Sequence, residues 1–497
     1  MKNRLKDKLT TAEEAVKIVK NGDTIGLSGF TQAGCPQLLS GALARRATEE
    51  HNKGRNFTVS LLTGASTNEH IDGALARAEA ISRRAPYQST KQLRNAINEG
   101  KVCYSDVHLS HFAQEISSGI WGDVDVAFIE AADVTEDGEI LLTAAVGISP
   151  TLGRVAKKII IELNAAHPKK IQGLHDIYEV AQPPHRREIP IYKTSDRIGT
   201  PRLKVDPDKI VAIVESNLPY IDNPFTPLDE VTEEIGKNVS DFLLAELQSG
   251  RLPDGLPPIQ SGVGNVANAV LGTLGNNPLT PTFEVYTEVI QNAVIDLMKK
   301  GKVSFASGCS LSVSHAVLQD IYNHWEDFKD KLLLRPEEIS NNPEVVRRLG
   351  LITINTAIEF DLFGNVNSTH LFGNKMMNGI GGSGDFTRNG YLSIYTAPSV
   401  AKGGVVSAVV PMVSHTDHSE HSVKVVITEQ GIADLRGLSP RERAEAIIEQ
   451  CAHPDYRPLL RKYLSLQHVG QTPHNLYKCF AMHIAAMEEG DMRKAKF

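Results

Sequence analysis

Phe283-Glu284-Val285-Tyr286-Thr287-Glu288-Val289-Ile290-Gln291 changes its period halfway along. The first half alternates as a short strand. From Val289 the apolar residues Val289, Ile290, Ala293, Val294, Leu297 and Met298 fall at helical spacing. Glu288 therefore stands where a strand hands over to a helix, and in open α/β sheets ligands bind at the carboxyl ends of strands. The residues alone allow two readings of Glu288: a nucleophile in a cleft, or a first-turn glutamate favoured by the helix dipole.

The same rhythm extends outward. Lys299-Lys300-Gly301 suits a helix C-terminus, and strands are expected over 303–306, 351–355, 392–395, 405–410 and 423–428. Ser439-Pro440 reads as an N-cap and first helical residue. Upstream, Thr11-Ala12-Glu13-Glu14 reads as a capping box opening a helix to about Lys20. Apolar runs at 24–28, 58–62, 125–131, 157–163 and 209–215 alternate with helical segments. Such runs imply a parallel sheet covered on both faces, with the loops after the strands sharing one rim. Proline-rich 165–208 reads as a surface excursion, and the boundary between two α/β halves falls between about Asn217 and Ser261. No sequence repeat links the halves.

At 497 residues the chain is long enough for two or more domains. A net charge of -7 gives no reason to expect a nucleic-acid partner. Basic pairs such as Arg83-Arg84 read as solvated helix faces. The five cysteines are widely spaced and lack a C-x-x-C, which argues for a reducing compartment. Met1-Lys2-Asn3-Arg4-Leu5-Lys6-Asp7-Lys8 lacks a signal-peptide core, and no apolar run approaches a membrane span. A cytoplasmic protein without membrane contact is expected.

Asn378-Gly379-Ile380-Gly381-Gly382-Ser383-Gly384-Asp385 contains G-x-G-x-x-G by letter. No good strand precedes it, and Phe386-Thr387-Arg388-Asn389-Gly390 is read as leading to a strand rather than a helix, against a dinucleotide fingerprint. Backbone N–H groups approaching an anion or oxyanion is the better use, a plain surface loop the alternative. Gly262-Val263-Gly264 is a second such loop; with one carboxylate on the same rim, the two would make a nucleophile beside an oxyanion hole. No G-x-x-x-x-G-K-[ST] supports an ATP-driven ligase, and no G-x-S-x-G supports a serine hydrolase. His415, His418 and His421 permit a metal site but read better as a polar connecting loop, so no metal is assigned. Cys309 reads as a small buried residue. Glu429, in Thr428-Glu429-Gln430-Gly431, is a second strand-end carboxylate; Lys402 lies in the turn Ala401-Lys402-Gly403-Gly404.

Ser28-Gly29-Phe30-Thr31, Leu62-Thr63-Gly64-Ala65-Ser66, Gln260-Ser261-Gly262-Val263-Gly264-Asn265, Glu288-Val289-Ile290-Gln291, 377–386 and 428–440 together resemble the acetyl-CoA hydrolase/transferase family along nearly the whole chain. The likeness is strongest to succinyl-CoA:acetate and propionyl-CoA:succinate CoA-transferases. It implies two tandem domains of CoA-transferase type (NagB/RpiA/CoA-transferase-like), 1–222 and 223–497, the second carrying the reactive glutamate. It implies a ping-pong transfer of coenzyme A between acetyl-, propionyl- or succinyl-CoA and a free carboxylate, with a glutamyl-CoA thioester at Glu288 and no tightly bound cofactor. It assigns Val263 and Gly382 to the oxyanion, Gly262, Gly264, Asn378, Gly382 and Lys402 to coenzyme A, and Asn341 and Glu429 to the substrate pocket. A homodimer is implied too. Acyl-CoA hydrolysis is the alternative activity, and a non-catalytic CoA-binding subunit the rival of another class. Some acetate-using members carry an arginine where this chain has Asn217-Leu218-Pro219-Tyr220-Ile221-Asp222, which leaves propionate or a longer acid open as acceptor.

Overall fold

A computed structural model describes residues 5–219, 228–253 and 255–497. The expected domain boundary at 222/223, part of the arginine-free stretch 217–222 and the first four residues lie outside them.

The first half builds a seven-stranded sheet from β1 (Thr24–Leu27), β2 (Val59–Thr63), β3 (Ile81–Ala85), β4 (Cys103–Tyr104), β5 (Val126–Ala131), β6 (Lys158–Asn164) and β7 (Ile210–Ser216). The order is β7-β6-β5-β1-β2-β3-β4, and every pair is parallel. The second half builds an eight-stranded sheet from β8 (Ile259–Ser261), β9 (Phe283–Tyr286), β10 (Val303–Gly308), β11 (Leu332–Leu334), β12 (Ile352–Thr356), β13 (Leu392–Thr396), β14 (Val425–Thr428) and β15 (Gly431–Asp434). Its order is β11-β10-β9-β8-β12-β13-β14-β15, parallel except for the last, antiparallel strand. In each sheet the first strand is central, three strands follow on one side, and the chain then crosses to the other. The repeat is one of winding, invisible as sequence.

Burial explains the apolar runs: all six residues of β5 are buried. Helices cover the faces, and one apolar core runs through both halves, joining Phe112, Ile148 and Ile161 to Ile259, Val285 and Ile354. Backbone bridges Ala145–Ser310, Gly147–Pro336 and His175–Leu334 stitch the halves together.

Several expectations need correction. Val289–Ile290 is a two-residue strand paired with Ser310–Leu311, and the helix begins only at Asn292. Two buried β-branched residues had imitated a first helical turn. The run 405–410 divides into Val406–Ser407 and Val409–Val410, both outside the main sheet. The first helix, Ala12–Ala15, passes into a 3-10 turn, Val16–Ile18. Arg84 is not on a solvated helix face: it is fully buried in β3, where it pairs with Asp72 and donates to Ser66 O at 2.7 Å. The excursion 165–208 is no mere surface loop. Its Asp176 forms a buried ion pair with Arg335, whose Nε also donates to Ser307 Oγ at 2.9 Å. Removing one partner of such a buried pair typically costs about 3–5 kcal/mol, so this strap is firmly attached.

Candidate active site

The carboxyl edges of the two sheets face one another. From the first come Phe30 and Thr31 after β1, Ala65 after β2 and Tyr87 after β3; from the second, Gly262 and Val263 after β8, Glu288 after β9, and 355–358 at the end of β12. Residues 378–383 close the wall. In the second sheet β8 is flanked by β9 and β12, so the cleft sits at a topological switch point. Its cavity of about 200 Å³ is smaller than the roughly 300–1,000 Å³ of sites that enclose a drug-sized ligand. It suits a small group rather than a whole nucleotide. Thr31 and Ala65 hold φ of 52° and 59°, left-handed values unusual for residues with a Cβ, and such positions cluster at ligand sites.

Glu288 is half-buried, with its remaining surface in the cleft. Asn341 Nδ2 donates to its Oε2 at 2.8 Å, and the Gly382 N–H also bonds it. Burial pushes the Glu288 carboxyl up to about 7; the Asp385 charge pushes the same way, and the bonds from Asn341 and Gly382 oppose it. At neutral pH the group is thus poised between its two forms. Asn341 is fully buried at the end of the short helix Glu337–Ser340. Asp385 accepts from Ser110 N (3.0 Å) and Ser110 Oγ (2.6 Å), so the helix Leu109–Ser117 of the first half anchors the support of the second half's carboxylate. Burial holds Asp385 up at about 6.

The loop 378–383 is shaped by what it touches. A Cβ on Gly382 would overlap Glu288 Oε2 and Asn341 Nδ2. One on Gly379 would come within 2.9 Å of both Asp106 Oδ1 and Tyr87 Cδ2. The first half pins this loop through Asp106, whose carboxylate accepts from Ile380 N at 3.0 and 2.8 Å. A helix, Ser383–Asn389, does follow the glycines, contrary to expectation, although only the two-residue strand Lys375–Met376 precedes them. Gln291 braces the other loop, donating to Gly262 O at 2.8 Å and accepting from Gly264 N at 3.3 Å.

The structure thus gathers Glu288, Gly262, Val263, Asn378 and Gly382 around one cavity, with Gly264 and Asn341 directly behind. It does not bring Lys402 or Glu429 to that cavity. Lys402 is exposed, its ammonium 5.9 Å from the Phe372 ring centre. Glu429 accepts from Ser399 N at 2.8 Å and from Gln430 Nε2 at 3.1 Å. His418 Nε2 lies 3.1 Å from Ser383 Oγ, bracing the glycine loop. Among the described residues no group of three His, Cys, Asp or Glu is arranged to hold a metal ion. Cys309 is fully buried, which pushes its thiol well up, against a nucleophilic role. Sequence reasoning missed Asp385, Asp106, Ser110 and Glu337; only Asp385 had a signal, its place inside the glycine motif.

Known proteins resemble the chain along nearly its whole length. The model of the acetyl-CoA hydrolase/transferase N-terminal domain matches residues 2–215, and that of the corresponding C-terminal domain matches 318–464. The chain is 49% identical over 482 residues to propanoyl-CoA:succinate CoA transferase of Escherichia coli K12, covering 97% of this chain and 98% of that one. It is 47% identical over 495 residues to succinyl-CoA:acetate CoA-transferase of Clostridium kluyveri, covering 99% and 91%. RipA from Yersinia pestis has the same fold, with a TM-score of 0.71 at 23% identity over 92% of this chain and 97% of that one.

Proposed function

Because the chain belongs to the acetyl-CoA hydrolase/transferase family, we propose that it moves coenzyme A between a short-chain acyl-CoA (acetyl-, propionyl- or succinyl-CoA) and a free carboxylate, with Glu288 as the carrier. The observation that carries this reading is Glu288 itself: a carboxyl held by Asn341 and Gly382 at the mouth of a small cavity between two glycine loops.

The Glu288 carboxylate attacks the thioester carbonyl and gives a mixed anhydride plus CoA thiolate. The thiolate attacks the glutamyl carbonyl, releasing the first acid and leaving glutamyl-CoA. A second carboxylate reverses both steps. Every step passes through an oxyanion, which the N–H groups of Val263 and Gly382 would hold; losing one such donor costs about 3–4 kcal/mol. No ATP is needed, because one thioester replaces another. Excluding water from the cavity once the acyl-CoA is bound would protect the anhydride. Lys402, outside the cavity, would meet the distal part of coenzyme A, and Glu429 would act through the loop it binds.

Initial-rate kinetics test the scheme: parallel lines for acyl-CoA against acceptor acid are expected, and intersecting lines would mean direct transfer in a ternary complex. Product analysis with and without succinate separates transfer from hydrolysis, since a transferase releases little free CoA without an acceptor. Absence of turnover with any acyl-CoA would favour the non-catalytic rival. The carboxyl that titrates at about 7 must be ionised to attack, so kcat/KM is expected to fall as pH drops through that value. A profile flat down to the ordinary glutamate range would contradict it. A homodimer belongs to the same proposal: Leu476, Tyr477, Ile484 and Met487 are exposed near the C-terminus and offer it an apolar surface. Sedimentation at the monomer mass would remove that part.

A further inference from the structure

Glu337 is an acid that the scheme above does not use. It is fully buried, and neither of its carboxyl oxygens has a hydrogen-bond partner among the described residues. It opens the short helix that ends at Asn341, and Asn341 N donates to Glu337 O at 2.8 Å. The two side chains therefore belong to one helical turn, and the second of them holds Glu288. The wall beyond is close: a Cβ on Gly64 would lie 2.7 Å from Glu337 Oε2, and Glu337 N donates to Gly147 O at 3.1 Å.

No cation among the described residues is paired with it. The groups facing it are Glu288, Asp385 and the neighbouring Glu338, with the Cys309 thiol beside them. Arg335, two residues earlier, is committed to Asp176, Ser307 and the Thr194 carbonyl. Arg186 pairs with Glu338, and His111 on the packed helix Leu109–Ser117 faces Asp385. An isolated carboxylate in such a place has neither counter-charge nor hydrogen bond.

We propose that Glu337 is a positioning residue that must stay uncharged for Glu288 to react. Uncharged, it adds no further negative charge to that of Glu288 and Asp385 behind the cavity. Ionised, it would set a further anion beside each oxyanion formed on Glu288 and beside the leaving thiolate. Burial first, then the Glu288, Asp385 and Glu338 charges, holds its carboxyl well above the ordinary range, consistent with this role. The proposal rests on the transferase reading.

The test compares pH profiles of kcat/KM for the wild type and Glu337→Gln, an uncharged replacement of the same shape. The wild type is expected to rise through about 7 and then to fall at alkaline pH, approaching a tenfold loss per pH unit as one group ionises. Glu337→Gln should keep the rise and lose the fall. A transferring wild type without an alkaline fall, or a variant that keeps it, overturns the proposal alone. A wild type that transfers no CoA at any pH removes the parent reading and this one with it. Should the variant not fold, the wild type carries its own check. An infrared band of a protonated carboxyl is expected to persist well above the ordinary glutamate range. Its absence overturns the proposal.

Discussion

Glu288→Ala is expected to lower CoA transfer by at least about 10⁴-fold, because the group that accepts both acyl and coenzyme A is gone and nothing nearby replaces it. Cys309 is buried with its thiol pushed well up, and Asp385 is tied to Ser110. The protein should stay folded. Glu288 meets the rest of the site chiefly through Asn341 and the Gly382 N–H, and its removal leaves an amide facing an open cleft. Far-ultraviolet circular dichroism and the thermal midpoint should match the wild type. Near-normal turnover by Glu288→Ala would end the nucleophile assignment.

Gly382→Ala is expected to cost about 10²-fold or more in kcat without unfolding the chain. The backbone at 382 has φ of −87°, which alanine adopts freely, so no conformational strain enters. The methyl group would occupy the space of Glu288 Oε2 and Asn341 Nδ2. The carboxylate must then turn away from both its donors, and a displacement of about 1 Å from the reacting geometry is enough for a loss of that size. Wild-type kcat in Gly382→Ala would show that the approach of this loop to Glu288 does not matter for turnover.

The fold was legible where strands are continuous apolar runs, as in Val126–Ala131 and Lys158–Asn164, since burial on both faces leaves that mark. It was illegible where it depends on partners far along the chain. Ile81–Ala85 carries two arginines, one of which is buried only because Asp72 and the Ser66 carbonyl meet it. Ile259–Ser261 is too short and polar to announce itself, yet it is the central strand of the second sheet. Glu288 was placed correctly at a strand end, but the residues after it pair with Ser310–Leu311 before any helix begins. Its neighbours could not be read locally. Asp385 and Asp106 act through contacts with the opposite half, and Glu337 is conspicuous only because its buried carboxyl has no hydrogen-bond partner among the described residues. The site roles of Lys402 and Glu429 came from the resemblance, and the cavity does not include them.

The central claim is a thioester on one side chain, and trapping it is the direct test. The protein is incubated with acyl-CoA in the absence of acceptor, treated with borohydride, digested and mapped by mass spectrometry. Reduction of Glu288 to the alcohol, with matching loss of activity and none in protein never given acyl-CoA, is the predicted result. An unmodified Glu288 in protein that still turns over, or a reduced acid at any other position, would contradict it.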